Sequence, residues 1–194
     1  NHIFTLQIKD KYSIQAIKSA GIHEVVDCSE EDTAALLYSS GTTGQPKGIM
    51  LTHGNIGSNA KTLQEAWEFT ANDCLLHALP IYHVHGLFVA LGCVFLSGSK
   101  MLWLDNFEAN EVLTQLPKCT VMMGVPTYYT RLIKNKGLNS KVTQNLRIFI
   151  SGSAPLLEET FMDFNSITGH KILERYGMTE TNIISSNPCL LYTS

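Results

Sequence analysis

The chain has 194 residues, of which 44% are hydrophobic and 16% charged, and its 14 Lys and Arg against 17 Asp and Glu give a formal net charge of −3. This composition is typical of a globular protein and excludes a disordered chain. Because there is no basic excess and no run of Lys or Arg, it also argues against a nucleic-acid partner. The longest apolar stretch, 84–96, contains two glycines and is shorter than the roughly 20 residues that cross a bilayer, so we expect no stable membrane insertion.

Both ends of the chain indicate a piece of a longer protein. The first residue, Asn1, is not an initiator methionine. The last six residues, 189–194, read CLLYTS, do not continue the motif before them, and match one reading frame of a transposase sequencing adaptor. We therefore expect residues 1–188 to be a fragment of one domain and 189–194 to be a non-native tail. Five scattered cysteines without a CxxC pair favour reduced thiols in a cytoplasmic protein.

Short apolar runs alternate with segments of helical periodicity, which is typical of βαβ units. We therefore predict an α/β fold whose mainly parallel sheet has helices on both faces. In chain order, the predicted strands are 36–40, 48–53, 74–80, 100–104, 119–124, 146–152 and 171–177, and the predicted helices are 55–69, 84–96, 108–116, 126–135 and 156–167.

Polar or glycine-rich segments follow five of these strands: SSGTTG, PIYHVHG, GVP, SGSAP and YGMTET. Right-handed crossovers bring the carboxyl ends of parallel strands to one edge of the sheet, where open α/β sheets bind ligands. The sequence therefore predicts that all five segments face one crevice.

The segment 38–48, YSSGTTGQPKG, carries the strongest motif. Four hydroxyl side chains, three glycines and Lys47 fall within ten residues. Glycines let the backbone approach a polyanion, hydroxyls donate hydrogen bonds to phosphate oxygens, and a lysine adds positive charge, although an ordinary surface turn has a similar composition. A P-loop of the GxxxxGKS/T type is excluded, because Pro46 replaces its second glycine and Gly48 its metal-binding hydroxyl.

Two further segments place suitable residues at predicted strand ends. Glu180 in YGMTET is either a solvated charge or a carboxylate that holds Mg²⁺ together with phosphate oxygens. The small residues of SGSAP, 151–155, permit the close approach of a flat ring, although alone they indicate only a turn.

An HxH pair, His83 and His85, follows the strand 74–80. Two hydrogen-bonded histidines at a helix start are the commoner explanation, and a zinc site is the alternative. Further ligands for such a zinc site would be His53, His77 or Cys74.

In this order, the segments resemble the signature motifs of the adenylate-forming superfamily, which comprises acyl-CoA synthetases, firefly-type luciferases and peptide-synthetase adenylation domains. The match is nearly unbroken from Tyr38 to Gly48. The resemblance implies an incomplete portion of the large N-terminal, AMP-binding domain of such an enzyme. The C-terminal lid domain with its catalytic lysine would lie beyond this chain, so we expect the chain alone to be inactive.

The resemblance also implies roles for single residues. The loop closes over the β- and γ-phosphates of ATP, SGSAP forms a shelf for adenine, and YGMTET flanks adenine, contacts the α-phosphate and holds Mg²⁺. The implied ATP-binding residues are Ser39, Ser40, Gly41, Thr42, Thr43, Gly44, Lys47, Gly152, Ser153, Ala154, Tyr176, Gly177 and Thr179. The implied catalytic residues are Lys47, Thr179 and Glu180, with Glu180 as metal ligand.

Four segments, ALPIYHVHGLFVA, MMGVPTYYTRL, FISGSAPL and ERYGMTETN, resemble malonyl-CoA synthetases more than fatty-acid or acetate enzymes. This implies an ATP-dependent acid–thiol ligase that adenylates malonate and transfers the acyl group to CoA, with ATP, Mg²⁺ and CoA. The implied acid pocket contains His83, His85, Arg131 and Met178, with Arg131 paired to the distal carboxylate. A cation is also required physically, because burying a second carboxylate unpaired is costly.

Three alternatives stay open. Without the resemblance, Arg131 is better explained as a solvated arginine on a helix, which fits a ligase for fatty or other monocarboxylic acids. A non-catalytic nucleotide-binding module would contain the same phosphate loop. A zinc-binding interaction domain would be built around His83 and His85.

Overall fold

A computed structural model describes residues 26–39 and 46–189. Its strands are β1 (Thr33–Ser39), β2 (Lys47–Thr52), β3 (Cys74–His77), β4 (Lys100–Trp103), β5 (Val121–Gly124), β6 (Ile148–Ser151), β7 (Ile172–Met178) and β8 (Asn182–Ser186). Its α-helices are α1 (His53–Ala66), α2 (Leu91–Ser97), α3 (Ala109–Gln115), α4 (Pro126–Ile133), α5 (Ser140–Thr143) and α6 (Glu158–Thr168). A π-helical turn, His85–Ala90, leads into α2, and a 3₁₀ turn, Leu116–Lys118, follows α3.

The predicted mainly parallel sheet is confirmed. Within the described ranges, six strands form one sheet in the order β4-β3-β5-β6-β7-β8. The first five are parallel to their neighbours, and β8 is antiparallel to β7. Every predicted helix has a counterpart, and none of the helices in the described part of the chain is both long and apolar enough to span a bilayer.

Both faces of this sheet are apolar, as the continuous hydrophobic runs predict for parallel strands. Along β5, Val121 and Met123 point into one core while Met122 points into the other. The first core packs against α1 and α2 and contains Trp67, and the second contains Tyr129 of α4 and Phe164 of α6. Helices therefore cover the sheet on both sides.

The first two strands correct the prediction of five strand exits at one sheet edge. β1 and β2 form a separate antiparallel pair, with Ser39 opposite Lys47. Only residues 40–46 lie between them, whereas a parallel crossover needs roughly a dozen residues or more. SSGTTG therefore begins at the end of a strand of this separate pair, and the other four segments follow strands of the parallel sheet. Residues 40–45 lie outside the described residues.

Two elements were missed by the sequence analysis. The short helix α5 follows Asn139, its N-cap, whose side chain accepts from the Val142 N–H. Strand β8 returns beside β7 after a tight connection, and Asn182 at its start has φ 55°. Asparagine is one of the few residues that tolerates this left-handed conformation. The chain then continues to Cys189, which is buried in the first core.

An ion pair between the buried Asp73 and the partly exposed Arg147 ties together the amino ends of the central strands. Arg147 donates to both carboxylate oxygens of Asp73, at 2.8 and 3.0 Å, and also to the carbonyl of Trp67. Asp73 further accepts from the Thr120 hydroxyl and the Thr70 N–H. Burial alone would raise the pKa of Asp73, but these hydrogen bonds and the charge of Arg147 hold it below its ordinary value.

Replacing Arg147 with Ala should lower the free energy of unfolding by about 3–5 kcal/mol, because it leaves a buried carboxylate unpaired. The loss should be full above about pH 4, where Asp73 is also ionised in the unfolded chain, and should shrink as the pH falls through the lowered native pKa. Urea denaturation at several pH values measures it. Lys61→Ala, an exposed change on α1, is the control and should shift stability by less than about 0.5 kcal/mol. Equal effects of the two substitutions would contradict the assignment.

Candidate functional site

The carboxyl ends of β3, β5, β6 and β7 meet at one edge of the sheet, because these strands are parallel. The segments that follow β3, β6 and β7 line two neighbouring cavities there. The end of the β1 strand reaches the same place from the separate β1–β2 pair, since Tyr38 and Ser39 line the first cavity. The predicted crevice therefore forms in part, because one of its walls comes from a different sheet and the GVP segment after β5 lines neither cavity.

The first cavity has a volume of about 490 Å³ and brings together several of the residues predicted for phosphate, metal and acid. The predicted site residues that line it are Ser39, His83, His85, Ser153, Gly177, Met178, Thr179 and Glu180. Apolar side chains of Val84, Val89 and Ile183 complete part of the wall. The cavity therefore has a mixed lining of polar and apolar side chains.

The second cavity, of about 470 Å³, lies on the other side of β7 and contains the predicted adenine shelf. Its lining includes Ser153, Ala154, Tyr176 and Gly177, as predicted. The sequence analysis missed the residues that β8 and the following segment contribute, which are Ser185, Ser186 and Asn187. Gly152 does not line the cavity but lies against Arg175, whose guanidinium group would overlap a Cβ atom at this position.

Arg175 separates the two cavities and is the main site residue that the sequence analysis missed. It lines both of them, yet it is only 5% exposed. Its Nη2 donates to Ser153 Oγ at 3.3 Å, and its Nε has no hydrogen-bond partner among the described residues. Burial lowers the pKa of Arg175 to about 10, so the side chain stays charged at neutral pH. A buried cation with an unused donor is suited to bind an anionic ligand.

His85 and His83 lie next to this cation. Nδ1 of His85 is 3.4 Å from Ser153 Oγ, and the His85 N–H donates to Nδ1 of His83 at 3.2 Å. Burial lowers the pKa of both histidines, and the positive charge of Arg175 lowers it further. The total lowering of the pKa is larger at His85. His85 is 2% exposed and therefore presents a neutral ring to the cavity at pH 7.

Other predicted site residues lie elsewhere. Arg131 is exposed on α4, with its guanidinium 4.9 Å from the centroid of the Phe107 ring, and Lys47 is exposed at the start of β2. Neither lines the two cavities. Their predicted roles stay predictions. Five loop residues lie outside the described residues: Ser40, Gly41, Thr42, Thr43 and Gly44.

The residues at the first cavity fit magnesium better than zinc. Glu180 is exposed at the cavity and supplies one carboxylate, and Mg²⁺ is normally bound by one or two carboxylates with nucleotide phosphates and water. Over residues 26–39 and 46–189, no three His, Cys, Asp or Glu side chains form a group that could hold a metal ion. His83 and His85 therefore gain no third ligand there, and Cys74 lies at the opposite end of β3.

Comparison with known proteins assigns the chain to a family. The chain matches the AMP-binding family, described as AMP-binding enzyme, over residues 5–193. It is 41% identical to a malonate–CoA ligase of Arabidopsis thaliana, over 81% of this chain and 29% of that protein. A long-chain-fatty-acid–CoA ligase of Bacillus subtilis is 32% identical, over 95% of this chain and 36% of that protein.

Solved structures agree with this match. The crystal structure of ATP-bound MatB from Rhodopseudomonas palustris superposes with a TM-score of 0.88 and 48% identity, covering 91% of this chain and 35% of that one. The chain therefore spans about a third of the length of the relatives it matches.

The pKa values of the two histidines test the position of Arg175. Replacing Arg175 with Met should raise the pKa of His83 and His85, because the nearby cation disfavours protonation of both rings. His85 should stay below the ordinary value, since burial is the larger cause. An NMR titration of the ring resonances measures both shifts. Arg131→Met is the control and should leave both pKa values unchanged; equal shifts in the two variants would contradict the geometry.

Proposed function

This chain belongs to the AMP-binding enzyme family, and from that premise we propose that its parent protein is an AMP-forming acid–CoA ligase. Such an enzyme joins a carboxylic acid to AMP and then transfers the acyl group to CoA. The observation that carries the proposal is the pair of cavities at the carboxyl edge of the sheet, separated by the buried, charged Arg175. The malonate–CoA ligase and fatty-acid–CoA ligase relatives support the same class of reaction.

The two cavities suggest how ATP is placed. The second cavity, with Ala154 and Tyr176, would take the adenine, and Thr179 and Glu180 would face the phosphates from the first cavity. Mg²⁺ held near Glu180 would neutralise phosphate charge. Ser39 lines the first cavity, which supports a role at the β- and γ-phosphates for the segment that follows it in sequence.

The chemistry requires two anions to meet. The carboxylate attacks the α-phosphorus, pyrophosphate leaves, and the mixed anhydride is then attacked by the thiol of CoA. Catalysis is therefore mostly positioning and charge neutralisation. Lys47 and the loop would act on the departing pyrophosphate, and Thr179 on the α-phosphate.

We further propose malonate as the acid. A diacid leaves its second carboxylate in the pocket, and that group needs a cation because burying it unpaired is costly. Arg175 is a buried cation at the first cavity, next to the neutral His85 and to Ser153. Arg131 is the second candidate, but its guanidinium lies on Phe107. The malonate–CoA ligase relative supports the diacid.

A monocarboxylic acid is the second candidate substrate. The first cavity also contains Val84, Val89 and Ile183, which would favour an aliphatic chain, and a relative is a long-chain-fatty-acid–CoA ligase. A cytoplasmic location belongs to the proposal as well and rests on the scattered cysteines without a CxxC pair.

Pyrophosphate release by the full-length protein tests the proposal, with ATP, Mg²⁺, CoA and either malonate, methylmalonate, acetate or octanoate. We expect release with malonate. Loss of the carboxylate's cation typically costs ~2–5 kcal/mol, so Arg175→Met should lower kcat/KM for malonate by about 30- to 4,000-fold. Activity with a monoacid should change by less than about fivefold, which also shows that the variant is folded.

Arg131→Met is the matched variant. A malonate-selective loss in this variant alone would move the carboxylate contact to Arg131 and keep the diacid. Preference for octanoate or acetate, with neither arginine mattering, would keep the adenylation chemistry and discard malonate. If no acid leads to pyrophosphate release, the result would favour a non-catalytic nucleotide-binding module.

A further inference from the structure

Two thiols meet at the amino end of the parallel sheet. Cys74 is the first residue of β3, Cys119 lies just before β5, and their Sγ atoms are 4.0 Å apart. The two residues are 45 positions apart in sequence, so only the fold brings them together. No residue of the two cavities takes part in this contact.

The backbone around the pair is fixed. The Cys74 N–H donates to Thr120 Oγ1 at 2.9 Å, and the Thr120 N–H donates to the Cys74 carbonyl at 2.9 Å. Thr120 also donates to the buried Asp73, which is paired with Arg147. The two thiols therefore stay close together for as long as this end of the sheet is folded.

The spacing of neighbouring strands suits a disulfide. Leu75 is opposite Val121, so Cys74 lies opposite Thr120 and Cys119 is one residue further along. In regular neighbouring strands, a separation of about 4.8 Å and a rise of about 3.3 Å per residue would give such a pair a Cα separation of about 6 Å. Cys119 precedes β5 at the end of the 3₁₀ turn, and the Sγ distance of 4.0 Å shows that its side chain lies on the same side as that of Cys74. Disulfides join Cα atoms at about 4.4–6.8 Å, so rotation of the side chains can bring the sulfurs from contact to bonding distance.

We propose that Cys74 and Cys119 are a thiol-oxidation site that closes to a reversible disulfide when a small disulfide such as oxidised glutathione is present. Cys74 is the partly exposed member of the pair, whereas Cys119 is fully buried. Cys74 is therefore the thiol that the oxidant reaches, and Cys119 is the one that resolves the intermediate.

Two exchange steps balance the reaction. The Cys74 thiolate attacks one sulfur of oxidised glutathione, which forms a mixed disulfide and releases the first glutathione. Cys119 then loses its proton to water, attacks the Cys74 sulfur and releases the second glutathione. Two protein thiols are thus oxidised while one glutathione disulfide is reduced. Burial raises the pKa of the Cys119 thiol to about 12, which lowers its thiolate fraction and slows the second step, so we expect closure on the scale of uncatalysed disulfide exchange, minutes to hours.

The disulfide would leave the cavities open. Cys74 and Cys119 lie at the amino end of β3 and β5, whereas the cavities lie at the carboxyl end. Closure would covalently join two central strands that are already hydrogen-bonded. The site therefore acts on the stability of the sheet, and it does not depend on which acid the protein uses.

The test is incubation of the folded chain with oxidised glutathione at about pH 8, followed by alkylation, intact mass and peptide mapping. Cys28 is exposed and would take up glutathione alone, so the chain carries Cys28→Ser. We expect a mass lower by two hydrogen atoms, one linked peptide pair containing Cys74 and Cys119, and reversal by dithiothreitol. Cys93→Ser, in the buried core, should still close, and Cys74→Ser should not.

Urea provides the control for the fold. In the unfolded chain the shorter loops Cys74–Cys93 and Cys93–Cys119 close more readily, so a mixture of pairs should form. A selective Cys74–Cys119 pair in native buffer that is lost in urea supports the site. Unchanged thiols, a mixed glutathione disulfide that does not close, or any other native pair would overturn it.

Discussion

The candidate site depends on a positive charge that the protein holds out of water. Arg175 is 5% exposed, lies against Gly152 and donates to Ser153. Burying a guanidinium group is unfavourable unless an anion or strong acceptors compensate it, and the described residues leave Nε without a partner. Burial and, to a smaller extent, the same charge lower the pKa of His85, so Arg175 acts on a neighbouring side chain as well as on the two cavities that it lines. An anionic ligand at this position would bind to a preformed cation.

The rest of the fold positions the Arg175 guanidinium at the carboxyl edge of the sheet. Arg175 lies on β7, and the parallel order of β3, β5, β6 and β7 brings its neighbours to the same edge. At the opposite edge, the Asp73–Arg147 pair holds the amino ends of these strands. The sheet thus has a fully paired ion bridge at one end and an incompletely paired cation at the other. The first is suited to stability and the second to binding.

The sequence predicted the fold correctly where burial determines the hydrophobic pattern of a strand. The continuous apolar runs at 121–124 and 148–151 predict strands buried on both faces, and the structure confirms them. The antiparallel pairing of β1 and β2 was also predictable, because the connection 40–46 is too short for a parallel crossover. The sequence analysis instead interpreted the Gly- and Thr-rich motif as the end of a parallel strand. Strand β8 carried no such signal, since NIISS is short and half polar.

The site could be predicted only in part. The motifs named three segments that line the cavities after β3, β6 and β7, because the ends of parallel strands collect at the carboxyl edge, and the roles of their residues stay predictions. They did not give Arg175, although a charged residue inside a strand of a covered parallel sheet is itself a signal of pairing or function. They favoured Arg131, whose helical position does not reveal that its side chain turns toward Phe107. Side-chain direction depends on tertiary packing, which spacing along the chain does not specify.

The central claim is that the cavities beside Arg175 support transfer of AMP to a carboxylic acid. Acid-dependent exchange of labelled pyrophosphate into ATP by the full-length protein, without CoA, tests this step alone. The account predicts exchange with malonate that is strongly reduced by Arg175→Met. Absence of exchange with every acid, in a protein that still binds ATP, would contradict it.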